Sequence, residues 1–390
     1  MTRQDEPVEG RTRRGGQLVV IGVGVALLLA LPSLYGLISG DTPAPRRATT
    51  SRPTSPNEPA PVDPQLHGRL VFTASAARQQ RLWAFDLRSG ALIEGPLVPA
   101  VEELWITNQS PQSIVIVADG GGAEGVAYVL NGLSPDTEPV EIARGDVISL
   151  ATDGRALIVG RTEPAGSDGP RCEPHTYTLH RVDLDTAEEV LVLRGHEDCG
   201  NLVSATLHRD MAVASFVDHG RVEVRSIWPT NVSTLFPDLA HVSVSPRGTF
   251  LFVDPVGGLD GLGVWPQRPT GRILVWPQSG RPRPLVNGDP LVSERVVVWS
   301  PDGGYVVVNG FIGGSLGMWL VYVPAGTALL LLPPNSFPRR PPFSGAAFDD
   351  AGDVFAGRPG RIVVRTHTGS FPIALPPDAP SPIGPIGWLP

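Results

Sequence analysis

The chain has 390 residues, room for one large repeat domain or two ordinary ones. Hydrophobic residues at 41% can furnish a core, while 45 Gly, 42 Pro and only 18% charged residues favour short strands and tight turns over long helices. The net charge of −8 argues against nucleic acid as a partner, and the complete absence of Lys, which makes all 31 basic residues Arg, reads as the codon usage of a GC-rich genome.

Residues 1–16 form a short tail carrying Arg11, Arg13 and Arg14. Residues 17–39 follow as an apolar segment, with no charge from Gly15 to Gly40. About 20 apolar residues at ~1.5 Å rise each cross a hydrocarbon core of ~30 Å. The arginines before it place the N-terminus in the cytoplasm and predict an uncleaved single-pass signal anchor in the cell membrane. A cleavable signal peptide is the rival reading. No small-x-small site follows Ile38, and the apolar run is long for a signal peptide. Residues 40–66, rich in Pro, Thr, Ser and Ala, cannot bury a core and read as a semi-rigid stalk.

From residue 67 to 390 a turn followed by an apolar strand recurs. The clearest copies are Ser300-Pro301-Asp302-Gly303 before Tyr305–Val308 and Ser245-Pro246-Arg247-Gly248 before Phe250–Val253. Weaker copies are Ser110-Pro111-Gln112-Ser113, Thr152-Asp153-Gly154-Arg155, His208-Arg209-Asp210 and Asp350-Ala351-Gly352. Pro presets φ in such turns, Asp bonds its own backbone and Gly takes positive φ. The chain ends on Trp388-Leu389-Pro390, matching the start of the Trp299-Ser300-Pro301 copy, and residues 67–72 match its continuation. A repeat divided between the two ends is what a closed ring requires. Six internal turns and the divided one give seven units, spaced as propeller blades are. The expected fold is all-β: a seven-bladed β-propeller closed by strands from both termini, with Ile383–Leu389 innermost in the first blade and residues 67–97 its other three strands.

These Ser-Pro-Asp-Gly turns with their strands resemble the WD40-like repeats of TolB-type β-propellers, in a membrane-anchored bacterial form. The resemblance covers nearly all of residues 67–390. It implies blades that serve as protein-binding platforms or as gating domains beside hydrolases. It marks a fold and not an activity.

Cys172 and Cys199 are the only cysteines. In a propeller the connections between second and third strands share a face with the links between blades. The connection Arg161–Glu173 and the link bearing Cys199 therefore meet on one face, and outside the cytoplasm the two thiols are expected to form a disulfide. The mirrored Cys172-x-x-His175 and His196-x-x-Cys199 spacings leave tetrahedral zinc as a minor alternative; no cofactor is otherwise expected. Glu173, His175, His196, Glu197 and Asp198 form a polar cluster there, either a solvated loop or a partner-binding patch. The Gly-rich stretch Asp254–Arg268 reaches the same face with Leu259, Asp260 and Trp265, which either contact a partner or tuck into the channel mouth. The remaining histidines are scattered singly and read as structural or exposed. Trp83, Trp276, Trp299, Trp319 and Trp388 read as packing between blades.

No catalytic residue is assigned. The expectation is a non-enzymatic, extracytoplasmic binding or scaffold module at the bacterial cell envelope, working through protein–protein contacts of its loop face. An enzyme or small-ligand binder, for a glycan for instance, that uses the central channel is the alternative.

Overall fold

The structure, a computed structural model, describes residues 66–390 apart from 77–78, 108–111, 120–123, 165–174, 198–199, 219–220, 229–230, 256–270, 334–344, 359–360 and 368. Among the described residues no helix is long and apolar enough to cross a membrane; the proposed anchor, tail and stalk lie outside them.

Seven four-stranded antiparallel blades follow one another. Blade 1 takes β1 (Arg69–Ala76), β2 (Gln79–Asp86) and β3 (Leu92–Val98), and blade 2 takes β4 (Val101–Ile106), β5 (Ile114–Asp119), β6 (Gly125–Leu130) and β7 (Val140–Gly145). Blade 3 is β8 (Val147–Leu150), β9 (Ala156–Pro164), β10 (His175–Asp183) and β11 (Glu189–Glu197). Blade 4 is β12 (Gly200–His208), β13 (Met211–Asp218), β14 (Arg221–Trp228) and β15 (Asn231–Pro237). Blade 5 is β16 (Ala240–Val244), β17 (Phe250–Pro255), β18 (Gly271–Trp276) and β19 (Arg283–Pro284). Blade 6 is β20 (Val292–Trp299), β21 (Tyr305–Ile312), β22 (Ser315–Tyr322) and β23 (Thr327–Leu332), and Gly271 and Arg272 of β18 pair with Ser293 and Val292 of β20, which joins the sheets of blades 5 and 6 at that corner. Blade 7 is β24 (Gly345–Phe348), β25 (Val354–Arg358), β26 (Arg361–Thr366) and β27 (Gly369–Ile373). The last strand, β28 (Pro382–Leu389), pairs with β1 and is the innermost strand of blade 1.

The divided repeat is therefore real, and its hydrogen bonds repeat those of an undivided one. Leu70 pairs with Trp388 as Val306 pairs with Trp299. The Leu87 amide donates to the Gly68 carbonyl at 3.0 Å, and the Val323 amide donates to the Gly304 carbonyl at 3.0 Å. Trp388 adds a bond that crosses the join: its Nε1–H donates to the His67 carbonyl at 3.1 Å.

Each blade buries both faces, so alternate residues of a strand serve opposite neighbours. In β1, Leu70 and Phe72 pack with Phe355 and Val364 of blade 7, while Val71 packs with Leu104 and Ile116 of blade 2. In β21, Val306 and Val308 face blade 5 and Val307 faces blade 7. The buried apolar side chains fall into seven clusters, one at each seam of the ring. Trp388 is buried at the seam of blades 7 and 1; Trp83, Trp276, Trp299 and Trp319 pack partly buried at seams, as expected.

The first turns explain the recurring motif. Ser300 Oγ donates to Asp302 Oδ1 at 2.6 Å and accepts the Tyr305 amide at 2.8 Å, while the Gly304 amide donates to Asp302 Oδ1 at 3.0 Å. Gly303 sits at φ 66°, which favours glycine. Two weaker copies start elsewhere than the motif suggests, and a third is shorter. In blade 2 the opening hydroxyl is Thr107, whose Oγ1 accepts the Ser113 amide at 2.9 Å, not Ser110. In blade 3 it is Ala151, which has no hydroxyl, and Arg155 N bonds Asp153 Oδ1 at 2.9 Å as Gly304 bonds Asp302. In blade 4 the turn shrinks to Arg209–Asp210, closed by the His208–Met211 pair.

Blade 7 puts a carboxylate where blades 5 and 6 use serine. Asp349 is 2% exposed, and its Oδ1 accepts the Asp353 amide at 2.8 Å, as Ser245 Oγ accepts Thr249 at 2.9 Å. Burial pushes the Asp349 carboxyl above its ordinary value despite backbone donors and the nearby His67. Asp302, bonded first by the Ser300 hydroxyl, is pushed below it.

Removing the closing bond and its indole, Trp388→Ala, is expected to cost about 3–5 kcal/mol in urea unfolding. Deleting residues 383–390 should abolish the cooperative transition, and an unchanged midpoint in either variant would refute closure by β28. A raised folded pKa means that Asp349 stabilises fully only below its unfolded pKa, and that this contribution is lost as pH rises through the folded value. Asp349→Ser should accordingly gain stability relative to the wild type as pH rises from 4 to 7, read from paired thermal melts.

Candidate functional site

Antiparallel blades give the ring two unlike faces. One carries the turns from first to second and from third to fourth strands; the other carries the second-to-third hairpins and the links between blades. Most connections on the second face are tight, such as Gly313–Gly314 between β21 and β22. Blades 3 and 5 are the exceptions, with connections 165–174 and 256–270. The link 333–344 from blade 6 to blade 7 is long as well, while on the turn face 131–139 is the longest connection. Insertions thus gather on the second face.

Below the ends of β9 and β10, the seam between blades 3 and 4 turns from aliphatic to polar and aromatic. Tyr177 of β10 packs on Phe216 of β13 with ring centroids 4.7 Å apart. Arg225 of β14 lies over the other partner, its guanidinium carbon 4.7 Å from the Phe216 centroid, and its Nη1 donates to Tyr177 Oη at 3.5 Å. Glu223, two residues away and on the same side of β14, pairs with the Arg225 guanidinium. Both charged side chains are half-buried, where a cation over an aromatic face and a matched carboxylate gain more than at an open surface. Tyr177 stands opposite Gly195 of β11, and a Cβ at Gly195 would lie 2.1 Å from the phenol ring. Only glycine leaves the ring this position.

The sequence-derived residues stand around this group unevenly. The register pairs His175 with Glu197 and Thr176 with His196, so these three sit at the ends of β10 and β11, in strands and not in the loop expected of them. His175 and Glu197 pair two residues beyond Tyr177 and Gly195, nearer the loop face. Cys172, Glu173, Asp198, Cys199, Leu259, Asp260 and Trp265 lie outside the described residues, and with them the disulfide and the zinc alternative. Strand β9 runs on through Pro164, so the connection bearing Cys172 starts at residue 165 and not at Arg161. Among the described residues no three His, Cys, Asp or Glu side chains stand where they could hold a metal.

Single histidines find structural partners. His180 Nδ1 lies 2.7 Å from Glu189 Oε1; Arg161 also pairs with Glu189 and donates through Nε to the Arg144 carbonyl of blade 2 at 2.8 Å. Burial lowers the His180 pKa below its ordinary value, with Arg161 and Arg194 acting in the same direction. His208 Nδ1 is 3.1 Å from Thr152 Oγ1 across the seam of blades 3 and 4.

One nucleophile spacing, Gly313-Gly314-Ser315-Leu316-Gly317, does occur and was missed in assigning no catalytic residue from sequence. A serine activated by this motif sits on a strained turn from strand to helix. Here Ser315 opens β22 in a hairpin, paired with Ile312. The spacing alone supplies neither base nor elbow.

No protein-family model and no curated protein matches the sequence. Solved structures do match in fold. The β-propeller domain of the trilobed protease from Pyrococcus furiosus, described as having an open velcro topology, is 13% identical over 80% of this chain and 97% of that one, with a TM-score of 0.50. An acylaminoacyl peptidase from Pyrococcus horikoshii is 12% identical over 79% of this chain and 51% of its own length, at 0.51. TolB from Acinetobacter baumannii is 12% identical over 86% and 89%, at 0.42. These likenesses establish the β-propeller fold, which the peptidases share with proteins of other activities.

Substituting Gly195 with Ala forces Tyr177 off Phe216 and should destabilise the domain by about 1–3 kcal/mol. The companion change Tyr177→Ala should relieve most of that cost, since the clash disappears with the ring. Equal and additive losses in a double-mutant cycle would refute the contact.

Proposed function

We propose that the protein is a non-enzymatic binding module outside the bacterial cytoplasmic membrane, anchored by residues 17–39, and that it holds a protein partner through its loop face at the seam of blades 3 and 4. The observation that carries this reading is the half-buried Arg225–Glu223 pair resting on the buried Tyr177–Phe216 pair, near the loop-face ends of β9, β10 and β13. Arg in a partly desolvated setting is among the residue types that dominate binding energy at protein interfaces, and the buried Tyr177–Phe216 pair holds this one in place. A loop carried above a rigid strand platform is where folds place recognition. The peptidases of like fold lend no activity at 12–13% identity.

The test is crosslinking and capture of the full chain from its own membrane, wild type beside Arg225→Ala and a His175→Ala, Glu197→Ala pair. A protein captured by the wild type should fall at least tenfold in both variants while their thermal melts keep a single cooperative transition. Capture that is indifferent to all three changes would count decisively against this face.

A further inference from the structure

Blade 6 differs from the others in charge. From Gly303 to Pro338 no side chain is charged, the longest such run in a chain that is 18% charged overall. The run holds all of β21, β22 and β23. Its surface is apolar as well: Tyr305, Phe311, Tyr322, Leu329 and Leu330 are exposed, the last two at 43% and 41%. The Tyr305 and Tyr322 rings stack 5.0 Å apart at one end of this patch.

The outer strand of each blade is an edge, and an edge invites pairing unless something blocks it. Strand β3 carries Glu94 and Pro96, β7 carries Glu141 and Arg144, and β11 carries Glu189 and Arg194. Strand β15 exposes Asn, Val, Ser and Thr and stops at Pro237, β19 is only Arg283–Pro284, and β27 contains Pro372. Strand β23 reads Thr-Ala-Leu-Leu-Leu-Leu, with no charge, proline or glycine. Among the described residues it pairs with β22 alone. The register slips between Met318 and Trp319, which leaves Leu331 bulged and Thr327–Leu330 as the regular part of the edge.

We propose that blade 6 is a self-association surface, on which β23 pairs antiparallel with β23 of a second copy. Two physical demands select this occupant. The open edge presents backbone N–H and C=O groups, which a lipid surface cannot satisfy and another strand can. The chain carries −8, so two copies repel through most of their surfaces and least through the uncharged outer strands β21, β22 and β23. Strand β23 is itself the uncharged apolar strand that such an edge accepts. A two-fold antiparallel ladder centred on Leu329 sets that residue opposite its own copy, with Leu330 opposite Ala328 of the second copy.

The experiment is sedimentation velocity of the full chain in non-ionic detergent over a hundredfold concentration range. The wild type should pass from monomer to dimer. Leu329→Lys, which sets like charges against each other, and Leu330→Lys, which sets a charge against the apolar edge of the second copy, are both at exposed positions and should each raise the dimer dissociation constant at least tenfold with far-UV circular dichroism unchanged. Leu97→Lys, an exposed leucine on the edge of blade 1, should leave the dimer intact. A wild type that stays monomeric throughout overturns the proposal, as it would if the patch served lipid. A dimer that survives both blade 6 lysines overturns it too.

Discussion

The ladder between β28 and β1 is the constraint on which the rest depends. Every blade in this ring is a sheet with two apolar faces, and neither face is tolerable in water. Seven seams can all be buried only if the seventh closes, and the seam between blades 7 and 1 contains residues from both ends of the chain: Leu70 and Phe72 from the start, Ile386 and Trp388 from the finish. The ends are more than 300 residues apart in sequence. Loop-closure entropy grows only with the logarithm of that separation, so the equilibrium cost of joining them is modest. The kinetic cost is larger, because a pairing this distant forms late and leaves two raw seams exposed until it does.

Closure also explains why the strands do not read as alternating. Val306, Val307 and Val308 are consecutive and all buried, two against one neighbour and one against the other. A half-exposed sheet would require a polar residue at every second place. The same geometry divides the labour between the two faces. On the turn face each blade repeats a hydrogen-bonded solution that tolerates little change. The loop face accepts insertions, because a hairpin can lengthen there without disturbing the seam beneath it.

The fold was legible in the sequence because its turn chemistry is local. Ser300, Asp302 and Gly303 satisfy one another within six residues, and so they leave a readable signature. The signature blurred wherever a different local solution served, as with the Thr107 hydroxyl in blade 2 or the two-residue turn after His208. The candidate site was legible only in part. Spacing drew attention to His175, His196 and Glu197 because they flank cysteines; the structure places them at the ends of β10 and β11. Tyr177, Phe216 and Arg225 escaped notice: Tyr177 and Arg225 are 48 positions apart and meet only when two blades stack. The one available hint was Glu223-x-Arg225, oppositely charged residues on one side of β14.

Asp302 and Asp349 show why motif reading needs its structural context. Both are aspartates in first turns, and both accept backbone N–H bonds. One place in the turn separates their roles. Asp302 stands at the exposed third position, where a serine hydroxyl and an amide favour its charged form. Asp349 stands at the buried first position, where the loss of water outweighs the donors it gains. A serine at that first position satisfies the same amide with no charge to bury, which is the solution in blades 5 and 6. Blade 7 therefore carries a local cost beside the very seam that closes the ring, with His67 as the neighbouring charge that offsets part of it. That placement ties the protonation of one carboxyl to the seam where the first and last strands meet.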